Sequence, residues 1–318
     1  MLVRGAETRL RTKTMRARAN LFISIHLFIS IHQNIIFTLN NKKNLLSVLI
    51  ENKMKFSGVT IRKVNVTRYI TPLREGGSLP AIAEADDGFL YVVKFRGAAQ
   101  GPKSLIAELI SGEIARALGL KIPEIVFAEL DTAFGRTEPD EEIQDLLKAS
   151  SGTNLALHYL SGSIMFDPVL TVVNEQLASE IVWFDAFVAN VDRTVRNTNL
   201  LTWFKELWLI DHGASLYYHH HWENFLEKAT DPFVQIRDHV LLPQAGKLDE
   251  ADQKFSEKLN SEVIASIVSL IPDGWLVSDD TNETPAEKKI IYCRFLEKRL
   301  EASAIFVNEA KHARKTFV

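Results

Sequence analysis

A lysine interrupts the most strongly strand-forming run of this chain, and it restricts what can pack around that run. The run is GFLYVVKFRG, Gly88 to Gly97, rich in aromatic and β-branched residues. Lys94 stands inside it. An ammonium is costly to bury unpaired, so a buried Lys94 needs a carboxylate from a neighbouring element. The next element offers two. SLIAELISGEIARALGL, Ser104 to Leu120, has apolar residues at 105, 109, 114 and 118 and a glycine near its end. That pattern predicts an amphipathic helix with a stop signal. It carries Glu108 and Glu113, and Glu108 lies nearer the helix start. The competing reading puts Lys94 on the exposed face of an edge strand.

The surrounding text fits a small sheet with one helix. KFSGVTIRKVNVTRYI, from Lys55, alternates apolar and polar residues as a half-buried strand does. Gly76, Gly77 and Ser78 follow in a turn between strand-like runs, and KIPEIVFAEL gives another strand. The order is strand, glycine turn, strand, strand, helix, strand, predicted as an antiparallel sheet. The second half reads as mainly helical. EQLASEIVWFDAFVAN sets Leu177, Ile181, Phe184 and Val188 at buried-helix spacing. Two more long helices are expected over about 253–271 and 284–312. The stretches 136–145 and 278–285 read as loops.

The first fifty residues differ. Six arginines and lysines from Arg4 to Arg18 precede the apolar run Leu21 to Ile31, which contains LFISIH twice in tandem. The run is short for a bilayer span and no small-residue cleavage site follows. Residues 1–53 are read as an upstream extension, disordered or spurious, with Met54 the working start. The formal charge of −3 gives no basic field, so no nucleic-acid partner is expected. One cysteine, Cys293, excludes an intrachain disulfide framework and fits a reducing, cytoplasmic compartment. It lies in an apolar helical pattern and reads as a buried thiol. No membrane partner is expected.

Phosphoryl transfer needs positive groups on nucleotide phosphates, metal ions bridging them and a carboxylate to orient the attacking hydroxyl. The chain offers each part in a consistent order. Gly76 and Gly77, without Cβ atoms, let backbone N–H groups approach phosphates. Lys94 with Glu108 or Glu113 would form the kind of pair that holds phosphates in protein kinases. In VANVDRTVRNTNLL, Asp192 and Asn197 stand five apart, the spacing of a catalytic Asp and a metal-binding Asn in the kinase loop. WLIDHG then sets Asp211 at the end of a strand before Gly213, a placement suited to a divalent ion. Each piece alone more often makes a turn, a hairpin or an exposed strand. Their joint order is what points to an ATP- and Mg2+-dependent kinase.

These residues resemble the HipA-like kinases, relatives of the protein kinase and phosphatidylinositol kinase folds. The resemblance rests on YVVKF at 91–95, AELISGEIARALGL at 107–120, FVANVDRTVRNTNLL at 187–201 and LWLIDHGASLYYHHHWEN at 207–224. It spans roughly residues 56–310 and is specific in its middle third. It implies an α+β, bilobal protein-kinase-like fold: an N-lobe antiparallel sheet with one helix over 54–157, and a mainly helical C-lobe over 158–318. It implies Lys94 as the ATP-phosphate lysine, Glu108 as its partner, Asp192 as catalytic base, and Asn197 and Asp211 as magnesium ligands. HYLSG then falls at the hinge, with His158, Tyr159 and Leu160 bordering the adenine. The loop reads VDR rather than HRD, and the metal motif DHG rather than DFG. No counterpart of the separate N-terminal subdomain of the full-length HipA toxin is expected. The resemblance alone does not choose the acceptor, and the leading expectation is Ser or Thr of a protein. The alternatives are a small-molecule or lipid kinase, or a nucleotide-binding pseudokinase scaffold. His219, His220 and His221 are read as packing or solvated rather than as a metal site.

Overall fold

A computed structural model of the chain describes residues 60–73, 79–134, 139–277 and 281–317. The extension 1–53, Met54, the tandem hexapeptide and the turn residues Gly76, Gly77 and Ser78 lie outside the described residues.

Five strands surround the first core. They are β1 (Arg62–Pro72), β2 (Ala81–Ala85), β3 (Leu90–Lys94), β4 (Ile125–Leu130) and β5 (Gly152–His158). They close into a barrel in the order β1–β2–β3–β5–β4. Four neighbouring pairs are antiparallel, but β1 runs parallel to β4, from Arg62 opposite Val126 to Asn65 opposite Glu129. The expected antiparallel sheet is therefore corrected to a closed, mixed barrel. An open sheet would leave the edge N–H and C=O groups of β1 and β4 unpaired, and closure satisfies both edges.

Alternation along the strands sorts the side chains. Ala81, Ala83 and Ala85 on β2 point into the barrel with Tyr91 and Val93 on β3. Lys94 follows Val93 and so falls on the outer face, yet only 8% of it is exposed. The cover is α1 (Gly101–Leu118), buried almost continuously from Ser104 to Ala115. It lies against β5 on one side and later helices on the other, which is why a single amphipathic stripe describes it poorly. Gly119 ends it in the left-handed region at φ 90°, as the stop signal predicted.

Helix α2 (Glu141–Ala149) starts inside the stretch expected to be a loop. Asp140 Oδ1 accepts from the N–H groups of Glu142 and Ile143 at 3.0 and 3.4 Å. The acidic cluster is thus a helix start, favoured by the N-terminal dipole. Ile143 and Leu147, one turn apart, join the barrel core.

After the barrel come α3 (Glu175–Phe187), buried without a break from Ala178, and a sheet ordered β6–β7–β8. These strands are β6 (Ile164–Met165), β7 (Leu200–Trp203) and β8 (Glu206–Leu209). Phe204 and Lys205 both take positive φ, as a tight two-residue hairpin requires. Short 3-10 turns occupy Tyr217 to Gln244. Helices α4 (Leu248–Lys258), α5 (Ser261–Ser269), α6 (Asp273–Leu276), α7 (Pro285–Glu301) and α8 (Ser303–Arg314) complete the described fold. Each of the two long helices expected here is broken. Asn260 leaves the helix to cap α5, its Oδ1 accepting from Val263 N at 2.9 Å, and Ala302 separates α7 from α8. The core of this half gathers on Trp183 of α3, with Phe187, Phe255 and Phe306 against its ring. Cys293 is buried on α7, and burial pushes its thiol up to about 12. No helix among the described residues is long and apolar enough to cross a membrane.

Candidate active site

Lys94 meets two carboxylates. Its Nζ donates to Glu108 Oε2 and, at 2.6 Å, to Asp211 Oδ1. Burial alone would lower the ammonium, but Asp211 and Glu108 together hold it above its ordinary value. Glu108 is fully buried on α1, and burial alone would raise its carboxyl. The Lys94 charge and the His212 imidazole, whose Nδ1 lies 3.4 Å from Oε1, bring it down to about 2, and the His212 backbone N–H donates to Oε2 at 2.8 Å. Folding is therefore favoured by this pair above the ordinary value of 4.5, and the contribution is lost as pH falls from there toward 2. Glu113, the other acid of the helix, pairs instead with Arg116.

Asp211 lies two residues past β8 with φ 53°, a left-handed conformation that Asp tolerates better than most residues. Its side chain is 45% exposed, so it faces both Lys94 and open space. Ala189, Asn199 and Leu216 share the left-handed conformation. Four of the eight such non-glycine residues among the described ones thus fall in the segments flanking the loop and the DHG motif, where strain of this kind commonly serves a function.

The loop after α3 presents Asp192. Its Oδ2 accepts from Asn197 Nδ2 at 2.8 Å and Asn199 Nδ2 at 3.2 Å. Burial and the Asp211 charge nonetheless raise its carboxyl above 3.8. Lys94, Glu108 and Asp211 are thus joined directly, as are Asp192 and Asn197, and the charges of Asp192 and Asp211 link the two groups.

His158 ends β5 and packs edge-on against Phe89 and Tyr91. Its N–H donates to Glu124 O, and that of Tyr159 to Leu90 O, both at 2.8 Å. These two donors are committed to the barrel. The Leu160 N–H has no protein acceptor among the described residues.

A second, fully buried network holds the loop, and sequence reasoning missed it. Asp185 on α3 accepts from Arg193 Nε at 2.6 Å, Asn190 Nδ2 at 2.8 Å and His239 Nε2 at 2.9 Å. Arg193 reaches on to the carbonyls of Asn199 and Ile210. One guanidinium thus links the loop carrying Asp192 to the residue before Asp211. Despite burial, Arg193 and His239 hold the Asp185 carboxyl well below its usual range. Arg299 of α7 clamps the preceding helix end, donating to the Ala186 and Phe187 carbonyls at 2.6 and 2.8 Å. A charge within the apolar run IVWFDAF was a legible signal for Asp185, of the same kind as Lys94.

Asp185→Ala is expected to destabilise the fold by about 3–5 kcal/mol, because it strands a buried Arg193. A chemical-denaturation midpoint checks this; a shift under about 1 kcal/mol would show that the network does not support the loop.

No match is found among curated proteins. A solved structure, that of the Helicobacter pylori proinflammatory kinase CtkA, is similar at 13% identity and a TM-score of 0.45, covering 81% of this chain and 99% of that one. The model of the HipA-like kinases matches residues 66–304, so the chain belongs to the HipA-like kinase family and is a phosphotransferase.

Proposed function

We propose that this kinase transfers the γ-phosphoryl group of ATP, with Mg2+, to a Ser or Thr hydroxyl of a protein. The observation that carries the reading is the position of Asp211, bonded to Lys94 on one side and tied on the other to the Asp192 loop by Arg193, which reaches the carbonyl of Ile210 just before it.

Lys94, held as an ammonium, is the cation for the nucleotide phosphates. Glu108 and the His212 N–H keep it in place. The donors beside it fit a hard divalent ion. Asn197 spends its amide N–H on Asp192, which leaves its Oδ1 without a protein donor among the described residues, and Asp211 adds a partly exposed carboxylate. These two residues would hold Mg2+, which when bound would offset the charge of the phosphates. Asp192 receives both asparagines on one oxygen. Its Oδ1 is left to orient the acceptor hydroxyl and take its proton. The loop tip Val195–Asn197 is exposed, so a macromolecular acceptor can reach this oxygen.

In the same reading residues 54–157 form the N-lobe and 158–318 the C-lobe. Leu160 offers its N–H to the adenine edge beside His158 and Tyr159. Gly76, Gly77 and Ser78, which lie outside the described residues, are assigned to the phosphates. The single cysteine supports a cytoplasmic address.

Incubation of the full chain with γ-labelled ATP, Mg2+ and cell lysate tests this. Phosphoserine or phosphothreonine on protein is the expected product. Label confined to soluble or lipid fractions overturns the protein acceptor. ATP binding with no transfer, autophosphorylation included, overturns the catalytic roles.

A further inference from the structure

Exposed apolar side chains are not spread evenly over this protein. Ile164, Met165, Val169, Leu170 and Val172 stand within nine residues, and Val195 lies on the tip of the Asp192 loop. Val169, Leu170 and Val172 are 82–90% exposed. Single exposed aliphatics need no explanation, but a concentration of them marks an interaction surface.

The stretch that displays them is fixed rather than loose. At one end Phe166 N donates to Leu200 O at 2.9 Å, and Thr198 Oγ1 to Phe166 O at 3.4 Å, tying it to the residues directly after the Asp192 loop. At the other end Val173 N donates to Gln244 Oε1 at 2.6 Å. Between them Asp167 Oδ1 accepts from the N–H groups of Val169 and Leu170 at 2.8 and 3.3 Å, and Thr171 N donates to Asp167 O. A preorganised turn that holds aliphatic side chains outward spares a partner the cost of ordering them.

Two features select the partner. Strand β6 pairs with β7 on one side and has no strand on its other side among the described residues, and neither of its side chains is charged. An extended polypeptide can add to such an edge, its alternate side chains meeting the exposed aliphatics. The stretch from His158 to Glu175 contains Asp167 and Glu175 but no lysine or arginine, which disfavours an anionic lipid surface.

We infer that this strap is the docking surface for the acceptor protein, seating an extended segment with aliphatic side chains beside the hydroxyl presented to Asp192. The inference rests on the protein-kinase reading above.

The test uses the full chain, the triple variant Val169→Ser, Leu170→Ser, Val172→Ser, and two serine peptides. One peptide carries leucine and valine on both sides of the serine, the other lysine and glutamate. The wild type is expected to phosphorylate the aliphatic peptide at least about tenfold better in kcat/KM, the scale of discrimination by aliphatic contacts. The triple variant is expected to lose that preference through KM, with kcat, ATP binding and activity on the charged peptide retained. Equal wild-type rates on the two peptides overturn the docking surface alone. So does a variant that keeps the preference, or one impaired equally on both peptides. A wild type that labels no peptide and no lysate protein, yet labels a small molecule or lipid, overturns the kinase reading and the inference with it. Wild-type binding to neutral phosphatidylcholine vesicles, or self-association, that the triple variant loses would reassign the strap and overturn the inference.

Discussion

Asp211→Asn is expected to reduce phosphoryl transfer by a factor of about a thousand or more and to remove the Mg2+ dependence of nucleotide binding. The substitution keeps size and shape, and an amide oxygen can still accept from Lys94. What it removes is a negative charge bonded to Lys94 and acting on Asp192. Loss of one preorganised electrostatic contact at a reacting centre costs about 10²–10³ in kcat. In the proposed reading the same charge also serves the ion, so the larger value is expected. The fold should barely respond, because the carboxylate is partly exposed and ion pairs of that kind contribute about 1 kcal/mol or less. An unchanged melting temperature beside lost transfer is the expected pair of results. Full transfer in the variant would remove Asp211 from the chemistry.

Lys94→Met is expected to abolish transfer and, unlike the first variant, to destabilise the protein by about 3–5 kcal/mol. The loss arises because Glu108 stays behind, fully buried, with only His212 to answer its charge. Against a typical total of about 5–15 kcal/mol this is a large fraction. The sign of its pH dependence follows. In the wild type Glu108 is held low and favours folding more at neutral than at acid pH. Without Lys94 its carboxyl rises above the ordinary value of 4.5, and lowering the pH then protonates it and relieves the variant. The deficit relative to wild type should shrink between neutral pH and pH 5. A second substitution, Glu108→Gln, should recover most of the lost stability and none of the activity. Denaturation of the single and double variants at two pH values checks all three statements. A single variant as stable as wild type would show that the pair is not coupled as described.

The parts of the site legible in the sequence were those where burial and charge conflict. Lys94 in an apolar strand demanded a carboxylate, and Glu108 on the next helix supplied it. Asp192, Asn197 and Asp211 were legible through spacing at the ends of regular elements. The closure of β1 onto β4 was not, because parallel pairing between distant segments leaves no local signal. The acidic run at 140–142 was misread because acids mark loops and helix starts alike, and only the Asp140 cap geometry separates them. Asp185 and Arg193 obey the rule that found Lys94, but their partner His239 lies far along the chain. The strap at 164–172 looks in sequence like any apolar segment, and only its exposure distinguishes it.

In the proposed division of labour Asp192 handles the acceptor while Lys94 and Asp211 handle the nucleotide. Wild type and Asp192→Asn, compared for γ-phosphate transfer and for Mg·ATP affinity in one series, test it most directly. Transfer is expected to fall by about 10²–10⁴ while affinity for Mg·ATP stays within a few-fold. Transfer at the wild-type rate in Asp192→Asn would contradict it.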